Sequence, residues 1–64
     1  MNYKILYTSW YGGQRKVVVF DFKRGMTIEF TIDELEKEEL DVSLIKYIYE
    51  LKETINSGYW DYPE

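Results

Sequence analysis

The chain has 64 residues, eight basic against twelve acidic side chains, a net charge of −4 and 19% aromatics, with no cysteine, histidine or alanine. That excludes a disulfide framework, a thiolate zinc site, a thiol nucleophile and any chemistry that relies on an imidazole base. A chain this short buries about 60% of its unfolded surface, enough for one core only, so residues 1–64 are expected to form a single small α+β domain.

Three strand-like runs come first, over about 2–11, 14–22 and 26–32. Tyr11-Gly12-Gly13-Gln14 reads as a two-residue hairpin in which both glycines supply positive φ. Pairing Tyr11 with Gln14 sets Trp10 opposite Arg15, Thr8 opposite Val17, Tyr7 opposite Val18, Leu6 opposite Val19, Ile5 opposite Phe20 and Lys4 opposite Asp21. Tyr3, Ile5 and Tyr7 then share one face with Val18, Phe20 and Phe22, and a one-residue slip would reverse the arrangement. Lys23-Arg24-Gly25 reads as a three-residue loop that pairs Phe22 with Met26, Phe20 with Ile28 and Val18 with Phe30. In the third strand Met26, Ile28, Phe30 and Ile32 alternate with Thr27, Glu29 and Thr31, the pattern of a half-buried strand. The expected sheet is an antiparallel meander of order 1-2-3.

From residue 31 the period changes. Thr31 with Glu34, or Asp33 with Glu36, fits a capping box, and acids crowd the first turn of a short helix expected at about 33–40. Its apolar stripe does not run on through Lys37 and Asp41, so a second helix is expected over about 43–56, capped by Asp41 or Ser43. Leu44, Ile48, Leu51 and Ile55 at 4-3-4 spacing give it a core face, with Tyr47 alongside and Ile45 and Tyr49 on the flank. Asn56-Ser57-Gly58 ends it, and an aromatic tail follows over 58–64. The helix is expected to cover Ile5, Tyr7, Val18, Phe20, Ile28 and Phe30. No repeat, linker or low-complexity segment interrupts this organisation.

Carboxylates are plentiful, but no two can be placed together in an apolar pocket where one would stay protonated, as acid–base work requires. Gly12-Gly13 lacks the lysine and following helix of a phosphate loop. The sequence therefore reads as a non-enzyme with no cofactor and no metal site. Glu34, Glu38 and Asp41 on one helical face more simply form a solvated acidic surface.

Three recognition surfaces remain. Under the registers above, the sheet face away from the helix presents Leu6, Thr8, Trp10, Arg15, Val17, Val19, Glu29 and Thr31, with Tyr11 at the hairpin and Trp10 placed for a cation–π contact with Arg15. An apolar centre rimmed by polar groups points to a protein partner, or to a homodimer through this outer face, and Tyr59, Trp60 and Tyr62 of the tail extend the candidate surface. The alternative is an acidic array of Glu34, Glu36, Glu38, Glu39 and Asp41 that mimics nucleic-acid phosphates in a basic groove. The third reading lays the sheet on DNA through Trp10, Tyr11, Arg15, Lys16, Lys23 and Arg24. It follows from residues 1–32 carrying +3 while residues 33–64 carry −7, although a pI near 4.7 weighs against it.

The reading these observations favour is a non-catalytic protein-binding module, a small regulator or inhibitor acting by stoichiometric contact. Residues with AT-rich codons (Phe, Tyr, Met, Ile, Asn, Lys) number 26 against 7 for Gly, Ala, Arg and Pro, which suggests a low-GC bacterium or its phages and mobile elements. No run approaches the length of a membrane span, and Met1-Asn2-Tyr3-Lys4 does not open a signal peptide, so the expected location is the cytoplasm of a bacterium or of a phage-infected cell.

Overall fold

The computed structural model describes residues 2–35 and 40–62. Three antiparallel strands, β1 (Tyr3–Tyr11), β2 (Gln14–Asp21) and β3 (Met26–Thr31), form an open sheet of order β1-β2-β3. A 3-10 helix (Ile32–Leu35) and two C-terminal helices, α1 (Val42–Glu50) and α2 (Lys52–Asn56), complete the α+β architecture. Of the short helix expected over 33–40, the described part is this 3-10 turn. Glu36, Lys37, Glu38 and Glu39 lie outside the described residues. The single long helix expected over 43–56 is divided at Leu51 (φ −105°, ψ 7°), whose N–H reaches the carbonyls of Ile48 and Tyr49.

The meander has the expected order, but the strand faces differ. From the Gly12-Gly13 turn to Tyr7↔Val18 the register is the expected one. The ladder then shifts between Ile5 and Tyr7, so that Ile5 pairs with Val19, Lys4 with Phe20 and Tyr3 with Asp21. An extra residue on one strand is a β-bulge, and it reverses the alternation of β1 beyond it. Tyr3, Ile5 and Thr8 consequently share one face, and Tyr7 lies on the other.

The β2–β3 connection is also one residue longer than expected. Asp21 pairs with Met26, Val19 with Ile28 and Val17 with Phe30, which leaves the four residues Phe22–Gly25 in the loop. The cause is local. The buried Asp21 carboxylate accepts the N–H groups of Lys23 (2.9 Å) and Arg24 (3.1 Å) and lies 3.4 Å from the Arg24 guanidinium. This Asx-type turn chemistry makes Asp21 the last paired residue of β2 and Phe22 the first of the loop.

The two shifts together put Val17 and Val19, not Val18 and Phe20, beneath the helices. The core consists of Tyr3, Ile5, Val17, Val19, Phe30, Leu35, Leu44, Ile48 and Ile55, with Ile28, Ile32, Leu40, Ile45, Tyr47, Leu51 and Trp60 packed against it. The stripe Leu44-Ile48-Ile55 is the expected one. Each large side chain fully buried in such a core contributes about 1.5–3 kcal/mol.

The junctions use polar side chains in ways the sequence pattern only partly foretells. Glu34 reaches back to Thr31 as a capping box would, accepting the Thr31 N–H (3.2 Å) and hydroxyl (3.0 Å). Asp41 precedes α1 without a side-chain cap. Its carboxylate pairs instead with Arg24 at 2.6 Å, tying the β2–β3 loop to the start of the helix. Ser43, the other candidate cap, hydrogen-bonds the Tyr3 hydroxyl at 2.7 Å.

Gly25 closes the four-residue loop with φ +65°, and a Cβ there would meet nothing within 4 Å. Any cost of a side chain is therefore backbone strain alone. Gly25→Val is expected to lower stability by at least ~1 kcal/mol and Lys23→Val by much less, read as thermal midpoints of the two variants.

Candidate functional site

Two arrangements stand out, one at the end of the sheet and one on its outer face. The first is a clamp between β1, β2 and the tail. The carboxylate of Asp61 receives Arg15 through Nε (2.8 Å) and Nη2 (2.8 Å), and the Thr8 hydroxyl through Oδ1 (2.5 Å). A forked guanidinium–carboxylate pair of this kind fixes geometry as well as charge. The central carbon of the Arg15 guanidinium lies 4.5 Å from the Trp10 ring centroid, the cation–π contact expected from their cross-strand placement.

Backbone bonds seat the tail at the same place. Thr8 donates its N–H to the Trp60 carbonyl (2.9 Å) and accepts the Tyr62 N–H (2.7 Å), so Thr8 and Asp61 form a parallel bridge on the free edge of β1. Trp60 packs on the helix-side core, while the Tyr62 ring meets Tyr7 at 5.6 Å on the opposite face. The tail therefore straddles the edge. Trp60, read from the sequence as part of a recognition surface, instead packs on the body of the domain, and Asp61 is engaged in the clamp.

Gly58 permits the approach. With φ +85°, it turns the chain after α2, and a Cβ on it would come within 3.1 Å of the Asp61 carboxylate and 3.8 Å of Arg15. Hydrogen bonds from Arg15 first, and from Thr8 second, hold the Asp61 carboxyl at about 2, down from its ordinary 3.8. The Arg15 pKa is raised, with its hydrogen bond to Asp61 the largest cause.

The second arrangement is the sheet surface away from the helices. By register it carries Lys4, Tyr7, Tyr11, Lys16, Val18, Phe20, Thr27 and Glu29. Phe22 continues it, since its N–H bonds the Asn2 carbonyl as the next rung of the ladder and its ring meets Phe20 edge-on at 5.0 Å. Tyr7, Tyr11, Phe22 and Tyr62 are between 38% and 68% exposed, while Val18 at the centre of the face is only 2% exposed. Lys16 bridges to Glu29 at 3.0 Å and lies 5.6 Å from the Tyr11 ring, and the bond to Glu29 is the chief reason its pKa is raised.

The expected site residues divide accordingly. Thr8, Val17 and Val19, expected on the outer face, are buried on the helix side. Trp10 and Arg15 belong to the clamp. Tyr11, expected at the hairpin, lies on the outer face, and Leu6, at the bulge, is exposed. Tyr7, Val18, Phe20 and Phe22 replace the misplaced residues on that face. In the acidic array, Glu34 caps Thr31 and Asp41 pairs with Arg24. Glu36, Glu38 and Glu39 lie outside the described residues. In the tail, Tyr59 is exposed, with its ring 5.0 Å from that of Trp60.

A shallow, open depression is lined by Asn2, Tyr3, Ser43, Lys46, Tyr47 and Glu50. Its side chains present no converging set of catalytic groups. No group of acidic side chains among the described residues is arranged to hold a metal ion. Among the described residues, no helix is long and apolar enough to cross a membrane. Comparison with known protein families, with curated proteins and with solved structures gave no match.

Two outcomes test the clamp. Ending the chain after Gly58 removes Trp60, whose burial is worth on the order of 2 kcal/mol, and should lower the melting temperature by several degrees. Because folding depresses the Asp61 pKa, its stabilisation is complete above the unfolded value near 3.8 and fades as pH falls toward about 2. Asp61→Asn should therefore melt below the wild type at neutral pH, and the gap should close between about pH 4 and pH 2. A gap that stays constant across that window would show that the carboxylate charge contributes nothing.

Proposed function

We propose that the protein is a non-catalytic binding module that acts by stoichiometric contact with a protein partner through the outer sheet face. The observation that carries this reading is the aromatic surface of Tyr7, Tyr11, Phe20, Phe22 and Tyr62 around Val18, which no described element covers. Aromatic side chains supply large contact area at low cost in conformational entropy, and tyrosine dominates the energetics of many interfaces. Lys4, Lys16 and Glu29 give the patch a polar component of the kind that surrounds interface cores. Contact of this type suits a small regulator or inhibitor, which needs no chemistry of its own.

Charge pairing favours protein over nucleic acid. Of the five cations in the basic half, Arg15 is neutralised by Asp61, Lys16 by Glu29, and Arg24 by both Asp21 and Asp41. Phosphate recognition draws on cations free to exchange counterions for phosphates, and three of the five are already engaged. The phosphate-mimic reading loses support in the same way, because Glu34 and Asp41 are committed to contacts within the domain.

The test is capture of a partner from a low-GC bacterial lysate by immobilised wild type, followed by affinity measurement with the purified partner. Tyr11→Asp and Phe22→Asp should leave the melting temperature nearly unchanged and weaken binding roughly 30-fold each, the scale of a hot-spot residue. Glu50→Lys and Glu53→Lys on the helices should bind like the wild type. Equal binding by the two sheet variants would remove the outer face from consideration, and loss of binding in the helix variants would relocate the contact.

A further inference from the structure

The backbone itself offers a second surface, at the other edge of the sheet. Thr8 directs both its N–H and its C=O away from β2, toward the tail. Alternation along an antiparallel ladder then fixes where every other backbone group points. Thr8 faces Val17, so Val17, Val19 and Asp21 direct their groups toward β3, where they meet Phe30, Ile28 and Met26. The Phe22 N–H bond to Asn2 fits the same phase on the β1 side. Thr27, Glu29 and Thr31 must therefore direct their backbone groups outward. The Thr31 N–H is taken by Glu34. Among the described residues, nothing takes those of Thr27 and Glu29.

We infer that this edge pairs with the same edge of a second copy of the chain, β3 against β3 antiparallel about a two-fold axis at Ile28. The inference rests on backbone geometry and does not depend on the outer-face reading above. Antiparallel partners must lie on the same face, so only alternate registers are allowed. Centring on Glu29 would set two carboxylates opposite each other and would draw on the Thr31 N–H already bonded to Glu34. Centring on Thr27 would leave Glu29 opposite Gly25 in the loop. Centring on Ile28 sets Thr27 opposite Glu29 of the second copy, twice over. Those are the two residues whose backbone groups face outward, so four hydrogen bonds form with no like charges opposed. The same register brings half-exposed Met26 against the copy's Phe30 and half-buried Ile28 against its own equivalent, on the helix-side face. The contact is isologous and closes at two copies, giving one six-stranded sheet.

Sedimentation equilibrium on the wild type, from roughly 10 to 500 µM, should show the mass rising toward twice the 7.8 kDa of the chain. Thr27→Pro removes an outward N–H, which an edge strand tolerates, and should leave a folded monomer. Ile28→Pro removes an N–H bonded to β2 and should melt the domain instead. Two further variants read the register and keep it testable if the proline variant fails to fold. Thr27→Glu, facing Glu29 of the copy, should weaken dimerisation severalfold, and Thr27→Lys should strengthen it severalfold. A wild type that stays monomeric throughout overturns the inference. So does a dimer indifferent to both charge variants, because its interface then lies elsewhere.

Discussion

One extra residue in the first strand lets both ends of that strand face a single core. Up to Tyr7 the ladder counts back from the Gly12-Gly13 turn without interruption, and the bulge at Leu6 then reverses the alternation. Without it, Tyr3 and Ile5 would fall on the outer face while Thr8, Val17 and Val19 faced the helices, and half of the apolar surface of β1 would be wasted. With it, Tyr3, Ile5, Val17 and Val19 join one core. Tyr7, on the hairpin side of the bulge, stays on the opposite surface, where it meets Tyr62. The bulge brings the start of β1 into the core, and the four-residue β2–β3 loop brings Ile28 and Phe30 to the same side.

Fastening in this small domain is polar at each end of the sheet. At the hairpin end, Arg15 and Thr8 hold Asp61 and with it the tail. At the other end, Arg24 joins the β2–β3 loop to α1 through Asp21 and Asp41. The Arg15 contact is the better engaged of the two, being forked, stacked on Trp10 and partly shielded. The Arg24 contact is half exposed and correspondingly weaker. A chain without disulfides thus uses two arginines, each reaching over a long stretch of sequence, to tie sheet to helices and tail.

Much of the architecture was legible in the sequence because its signals are local. Gly12-Gly13 marks the hairpin, alternation over 26–31 marks β3, and the stripe Leu44-Ile48-Leu51-Ile55 marks the helical face. Register was harder to read, because Val17-Val18-Val19 is apolar on both sides and carries no alternation. A bulge has no compositional mark when the residue is a leucine, and a three-residue loop ending in glycine looks as good on paper as the four-residue loop that Asp21 actually organises. The surfaces depend on the register, so alternation alone puts Val17 and Val19 on the outer face, where the structure has Val18 and Phe20. The clamp was half visible. Trp10 and Arg15 could be paired from the turn, but their acidic partner lies 46 residues along the chain and only the tertiary fold brings it there. An aspartate set between Trp60 and Tyr62 was the available hint, since a carboxylate carried into apolar surroundings needs a cation.

The clamp also decides what light this protein emits. Its two tryptophans flank the same ion pair: Trp10 lies against the Arg15 guanidinium, and Trp60 immediately precedes Asp61. Trp10 is exposed, and Trp60 is held on the core only by way of the tail. Intrinsic indole emission therefore reports whether the tail is seated, while circular dichroism reports the sheet and helices. If the two signals change together on heating, tail and core form one cooperative unit. If the emission changes first, the tail leaves a sheet that remains intact, and the free edge of β1 at Thr8 is bared before the rest of the fold is lost.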